Sequence, residues 1–117
     1  MEKELKNFTV EEVINDPRKL MIMDALVYDC TEYCRRHPGG ARIIEIYCNT
    51  NKDAYVSFCM LHRTSRGPLM LKDLIVGRIT DPHNLKVEKP PASDDWRKGP
   101  YDNMCDIVQK CTEQFKE

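Results

Sequence analysis

Between Phe8 and Ile79 the chain runs as short apolar clusters separated by polar or turn-forming residues, and the spacing within each cluster predicts its element. "FTVEEVIND" opens on Thr9 with Glu12 three residues on; side chains so spaced can each take a backbone N–H of a first turn, which predicts a short helix. "KLMIMDALVYDCT" is β-prone on both sides of Asp24-Ala25 and predicts two short strands joined by a tight turn. Thr31 is placed to cap a second helix, "EYCRRH", which Pro38-Gly39-Gly40 ends. "ARIIEIYC" carries Ile43, Ile44 and Tyr47 at helical spacing, and "DAYVSFCMLH" carries Ala54, Tyr55, Phe58 and Leu61. Gly67-Pro68 breaks the chain again, after which "LMLKDL" predicts a last short helix and "LIVGRI" a strand returning to the sheet. Past Asp81-Pro82 the composition turns polar, with Pro90-Pro91-Ala92-Ser93 as a linker. The tail sets Tyr101, Met104, Cys105, Val108, Cys111 and Phe115 on one helical stripe, expected to pack on its own domain or stay half-formed rather than to recognise a partner. The division is a domain over 1–81 and a polar extension over 82–117 with a short amphipathic helix.

Composition narrows the class. A chain of 117 residues holds one domain with a small core. A net charge of −1 gives no overall attraction to nucleic acid or to a membrane surface. No apolar run approaches the roughly 20 residues that span a bilayer. "MEKELKNF" is charged and lacks the apolar stretch of a secretory signal, so a cytoplasmic protein without a membrane anchor is expected. The six cysteines are then expected to be reduced thiols acting as small apolar fillers. No C-x-x-C pair suggests structural zinc, and Cys34-Arg-Arg-His37 lacks the second cysteine of a covalent haem attachment.

Charge is unevenly placed. Residues 1–34 carry four basic and eight acidic side chains, whereas 35–66 carry six basic ones (Arg35, Arg36, Arg42, Lys52, Arg63, Arg66) against Glu45 and Asp53. Two of the three histidines, His37 and His62, lie in this basic island; His83 follows the closing strand and is expected on the surface. "RRHPGGAR" puts His37 at the mouth of the Gly-Gly turn. A backbone carbonyl freed there can take the Nδ1 proton and leave Nε2 facing a ligand. His62 closes the later helix, so the helices between the two histidines can fold back and oppose the imidazoles across an apolar slot. Its walls would be Ile43, Ile44, Phe58, Met60, Leu61, Leu69, Met70 and Leu74. Such a slot suits an iron porphyrin, which brings four equatorial nitrogens and needs two axial ones and dry walls. The bland alternatives are a helix stop with an incidental histidine at His37, and a structural His62 with Met60 as the sixth ligand.

These motifs resemble the haem-binding signature of the cytochrome b5 family. "LVYDCTEYCRRHPGG" is similar to its V-Y-D-x-T segment leading into H-P-G-G, "FTVEEV" to its first helix, "NKDAYVSF" to its D-A-x-x-x-F helix and "LIVGRI" to its closing strand. The similarity runs from Phe8 to about Asp81. It implies an α+β fold in which a small mixed sheet lies beneath two helical pairs holding one non-covalent haem b. Carried over by position, His37 and His62 fall on the axial ligands and Pro38, Gly39 and Gly40 on the loop after the first. Met23, Cys30, Tyr33, Ile43, Ile44, Phe58, Met60, Met70 and Leu74 fall on or near the pocket wall. The departures are slightly altered spacing around the second ligand, and Arg63, Thr64, Ser65 and Arg66 where relatives place a serine for a haem propionate. Polar groups at Cys30, Tyr33 and Tyr55 or Ser57, where relatives favour leucine and phenylalanine, should lower the reduction potential.

The resemblance implies a monomeric one-electron carrier without substrate turnover of its own. Haem storage, delivery or sensing is the alternative, and a haem-free interaction module is disfavoured by the presence of both histidines. Relatives dock basic proteins through carboxylates beside H-P-G-G. Arg35, Arg36 and Arg42 take those places here, so the expected redox partner is an acidic, flavin-containing reductase domain.

Overall fold

The computed structural model describes residues 4–37, 40–61 (without the side chains of 59–61), 71–88, 108–110 and 112–115. In chain order these form β1 (Lys6–Phe8), α1 (Val10–Asn15), β2 (Leu20–Met23), β3 (Leu26–Asp29), a 3-10 turn over Tyr33–Arg36, α2 (Ala41–Glu45), β4 (Lys52–Asp53) and α3 (Tyr55–Leu61). Residues 71–74 are helical. They lead into β5 (Ile75–Ile79), a 3-10 turn over Pro82–Asn84 and β6 (Lys86–Val87), and a 3-10 turn over Glu113–Phe115 lies in the tail. The strands make one mixed sheet in the order β1-β5-β3-β2-β4-β6. The fold is α+β, as the sequence predicts.

The capping box forms in both directions: Glu12 N–H donates to Thr9 Oγ1 at 3.1 Å and Thr9 N–H to Glu12 Oε1 at 2.9 Å. The hairpin forms as well, with Met23 opposite Leu26 and a two-residue turn in which Asp24 (φ 52°) and Ala25 (φ 64°) are both left-handed. Neither is glycine, so the turn needs support. Asp53 provides it. Its buried carboxylate accepts from Asp24 N–H at 2.8 Å, Ala25 N–H at 3.1 Å and Tyr55 N–H at 3.0 Å. One side chain thus ties the hairpin to the start of α3. Burial pushes its carboxyl above the ordinary range, against the lowering effect of those three donors.

Thr31 corrects the capping expectation. Its hydroxyl accepts Lys19 N–H at 2.9 Å rather than any N–H of the following turn, and its own N–H goes to Asp29 Oδ1 at 3.0 Å. The stretch "YCRR" is a 3-10 turn, not an α-helix. A residue before proline is kept out of the α region, and His37 is extended at φ −66°, ψ 124°, so the turn cannot lengthen.

Strand alternation divides the core across the sheet. Met21, Met23, Leu26 and Tyr28 join Cys30, Ile44, Cys48, Ala54, Leu71, Ile75 and Val108 on one face. Leu20, Ile22 and Val27 join Phe8, Val10, Val13 and Ile79 on the other. The first cluster floors the candidate site.

Candidate functional site

His37 and Gly40 build the mouth of the site. His37 N–H aside, the two residues exchange contacts: Gly40 N–H donates to the His37 carbonyl at 2.9 Å, and His37 Nδ1 lies 3.1 Å from the Gly40 carbonyl. A carbonyl can only accept, so Nδ1 carries the proton and the imidazole lone pair is on Nε2. Gly40 sits at φ 96°, ψ 154°, a region almost confined to glycine, and an added Cβ would meet no atom within 4 Å. Glycine is therefore required for conformation and not for space. Tyr33 meets the imidazole edge-on, with ring centroids 5.9 Å apart at 73°, which limits how the ring can turn.

Behind this mouth lies an apolar cleft. Of the residues anticipated from sequence, Met23, Cys30, Tyr33, His37, Ile43, Ile44, Phe58 and Leu74 line it. Met21, Tyr47, Ala54 and Leu71 line it too and are not anticipated. Met21 could have been found by strand alternation from Met23. Of the two further polar candidates, Ser57 is on the wall, while Tyr55 points its hydroxyl to Gln109 at 3.2 Å. Pro38, Gly39, His62, Met70 and the side chain of Met60 lie outside the described residues.

Cys30, Cys34 and Cys48 are free and buried. Contact with the Cys48 thiol, reinforced by burial, drives the Cys30 thiol far above the usual range, so Cys30 stays a neutral thiol, its S–H donating to the Tyr28 carbonyl at 3.9 Å. Arg35, Arg36 and Arg42 are exposed around the mouth, and none of them forms an ion pair among the described residues. Lys19 pairs with Glu45 at 2.7 Å and Arg18 with Asp16 at 3.0 Å. His83 is exposed in the turn after β5.

The donor set is informative. Among the described residues no three His, Cys, Asp or Glu side chains converge to hold a metal ion. An ion at His37 would need its equatorial ligands from a prosthetic group, and the apolar walls with a fixed Nε2 lone pair fit an iron porphyrin. No helix among the described residues is long and apolar enough to cross a membrane.

A mixed sheet flooring an apolar cleft, with a histidine at its mouth, defines a small α+β ligand-binding domain. The chain belongs to the cytochrome b5-like haem/steroid binding domain family, whose profile matches residues 2–80. Among solved structures it is similar to the cytochrome b5 of Ostreococcus tauri virus 2, at 25% identity and a TM-score of 0.53 over 62% of this chain and 94% of that one. It is also similar in fold to cytochrome b558 of Ectothiorhodospira vacuolata, described as a prokaryotic homologue of cytochrome b5. There the identity is 23% and the TM-score 0.56, over 65% of this chain and all of the other.

Proposed function

We propose that the protein is a one-electron carrier that holds a single non-covalent haem b between His37 and His62. The observation that carries this reading is the His37–Gly40 turn, which commits Nδ1 to a carbonyl while the imidazole lines an apolar cleft. A steroid would also suit apolar walls and could hydrogen-bond to the imidazole, but only haem would take that nitrogen as a metal ligand.

When bound, the haem would supply an iron centre that gains and loses one electron. His37 and His62 would hold it, and Met23, Ile44, Phe58 and Leu74 would exclude water. Electron carriage, not substrate turnover, is the role this reading assigns. Arg35, Arg36 and Arg42 ring the mouth and steer an acidic partner, a flavin-containing reductase domain, to the exposed edge. The protein works as a monomer in the cytoplasm, and reduction is its role in preference to haem storage or delivery.

Spectral titration of the purified chain with haem tests the reading. Wild type should give a low-spin six-coordinate spectrum, His37→Ala and His62→Ala should each lose it, and His83→Ala should keep it. A wild-type protein that takes up no haem would refute the proposal, and a low-spin His62→Ala variant would move the second ligand to Met60 or a thiol. Changing Arg35 and Arg36 to Glu should slow reduction by an acidic flavoprotein at low salt; an unchanged or faster rate rejects the partner assignment.

A further inference from the structure

One charged group stands directly behind the cleft wall and has no part in the reading above. Glu88 follows β6, and its carboxylate is bonded to two wall residues. Ser57 Oγ lies 2.8 Å from Oε2 and 3.0 Å from Oε1, Tyr47 OH lies 3.0 Å from Oε1, and the two hydroxyls are 2.7 Å apart. Tyr47 and Ser57 line the cleft, whereas Glu88 lines a separate surface hollow on the far side of Tyr47. The backbone holds Glu88 at that place. β6 pairs with β4 through Lys52↔Lys86 and Asp53↔Val87, and Lys86 N–H donates to the Asn51 carbonyl at 2.7 Å.

The hydrogen count sets what the wall can do. An ionised carboxylate only accepts, so the triangle of Tyr47, Ser57 and Glu88 oxygens has two hydroxyl protons for its three sides. Both protons are used inside the triangle. Neither hydroxyl can then donate into the cleft, and these two wall residues carry only oxygen lone pairs backed by a negative charge. Both effects favour the more positive of two states of a bound group. If Glu88 served only to fasten α2 to α3, an apolar pair would do so without the cost of removing a carboxylate from water. Lys52 and Lys86 share the hollow and oppose the carboxylate, but both are exposed and screened by solvent, whereas Glu88 is half-buried.

We infer that Glu88, acting through Tyr47 and Ser57, sets the redox poise of the cleft and holds bound haem toward its oxidised form. Glu88 is a positioning residue that touches no ligand itself. The inference rests on the haem reading above and adds a residue beyond the family-matched stretch.

Spectroelectrochemical titration of the haem-loaded full chain, beside thermal unfolding of the haem-free chain, tests it. Glu88→Gln keeps the side-chain shape and removes the charge. It should shift the ferrous-to-ferric ratio at fixed poise upward by about threefold to tenfold, a rise of about 30 to 60 mV. Tyr47→Phe leaves the charge and removes one lone-pair oxygen, so its rise should be smaller; it carries the test alone if Glu88→Gln does not fold. A purely structural Glu88 would lower the haem-free melting temperature and leave the potential of both variants unmoved, and that result overturns the inference. Wild type that binds haem while the variants keep its potential refutes this inference alone. Wild type that binds no haem refutes the proposed function, and this with it.

Discussion

Replacing Gly77 by alanine should destabilise the domain out of proportion to one methyl group. Gly77 sits in β5 between two partners, opposite Lys6 of β1 and Val27 of β3. Its backbone needs no special conformation, so the requirement is space. A Cβ there would fall onto the Lys6 carbonyl oxygen and lie 2.5 Å from both Cδ2 and Cε2 of Phe8. Carbon contacts settle at about 3.5–4.0 Å, so β1 must move outward by about 1 Å. Neither neighbour is a flexible end: one is ladder backbone, and the other is a ring 2% exposed within the cluster of Val10, Val13, Leu20 and Ile22. Overpacking costs about 1–3 kcal/mol. If β1 peels away, re-exposing Phe8 adds about 1.5–3 kcal/mol, while the lost flexibility of glycine returns about 0.5–1 kcal/mol. The net loss is about 2–5 kcal/mol. For a domain of this size that lowers the melting temperature by about 10–30 °C, readable by circular dichroism. A variant melting within about 3 °C of wild type would refute the steric reasoning.

Four further outcomes follow from single contacts. Asn49, at φ 57°, directs its amide group to the carbonyls of Val13, Asp16 and Arg18 at 2.8, 3.2 and 2.9 Å; Asn49→Asp turns a donor into a charge facing three acceptors and should cost at least about 2–3 kcal/mol in urea unfolding. Gly40→Ala should cost about 1–3 kcal/mol from backbone strain alone and also weaken haem uptake, because the Gly40 carbonyl would leave His37; full uptake would contradict the tautomer assignment. The hydrogen bond from Arg18 holds the Asp16 carboxyl below its ordinary value of 3.8. Its stabilisation is therefore present above that value and lost as pH falls below it through the folded one, so Asp16→Asn should flatten the acid limb of stability below about pH 4. Ile22→Ala and Met23→Ala both empty fully buried sites and should each cost about 2–5 kcal/mol, yet only Met23 lines the cleft. Haem affinity should change in Met23→Ala and stay within about twofold in Ile22→Ala.

Signals that act over one turn of chain were legible before the fold was known. The Thr9–Glu12 box, the turn at Asp24-Ala25 and the carbonyl after His37 all join residues within three positions of one another. Local sterics decide such contacts, so spacing is enough to read them. The 3-10 turn was misread as a helix because Thr31 looks like a cap, and its competitor, Lys19 N–H, is twelve positions away. Asp53 was equally hidden: its importance lies in N–H groups 28 and 29 positions distant, which nothing beside it in sequence announces. β4 and β6 have two residues each, too few to show alternation, and exist because their neighbours hold them. Helical spacing also overstated burial on α2, where Ile44 is 7% exposed but Ile43 is 44%. The overestimate is consistent with Ile43 standing at the edge of the cleft, where a bound group would cover it.

The family match ends at residue 80, but contacts with the elements around the cleft continue beyond it. β6 closes the sheet beside β4, Glu88 binds Tyr47 and Ser57, and Val108 (1% exposed) and Phe115 pack into the cluster that floors the cleft. Gln109 donates to Asp24 Oδ2 at 3.0 Å and to Tyr55 OH at 3.2 Å, which brings the tail to the same left-handed turn that Asp53 supports. Arg78 of β5 donates to the Phe115 carbonyl from the other side. These contacts fall on the hairpin turn, on α3 and on the end of α2, the elements that position Met23, Phe58 and Tyr47. The described part of the extension thus meets the walls of the cleft through Tyr47, Ser57 and the hairpin, on elements other than the His37–Gly40 turn.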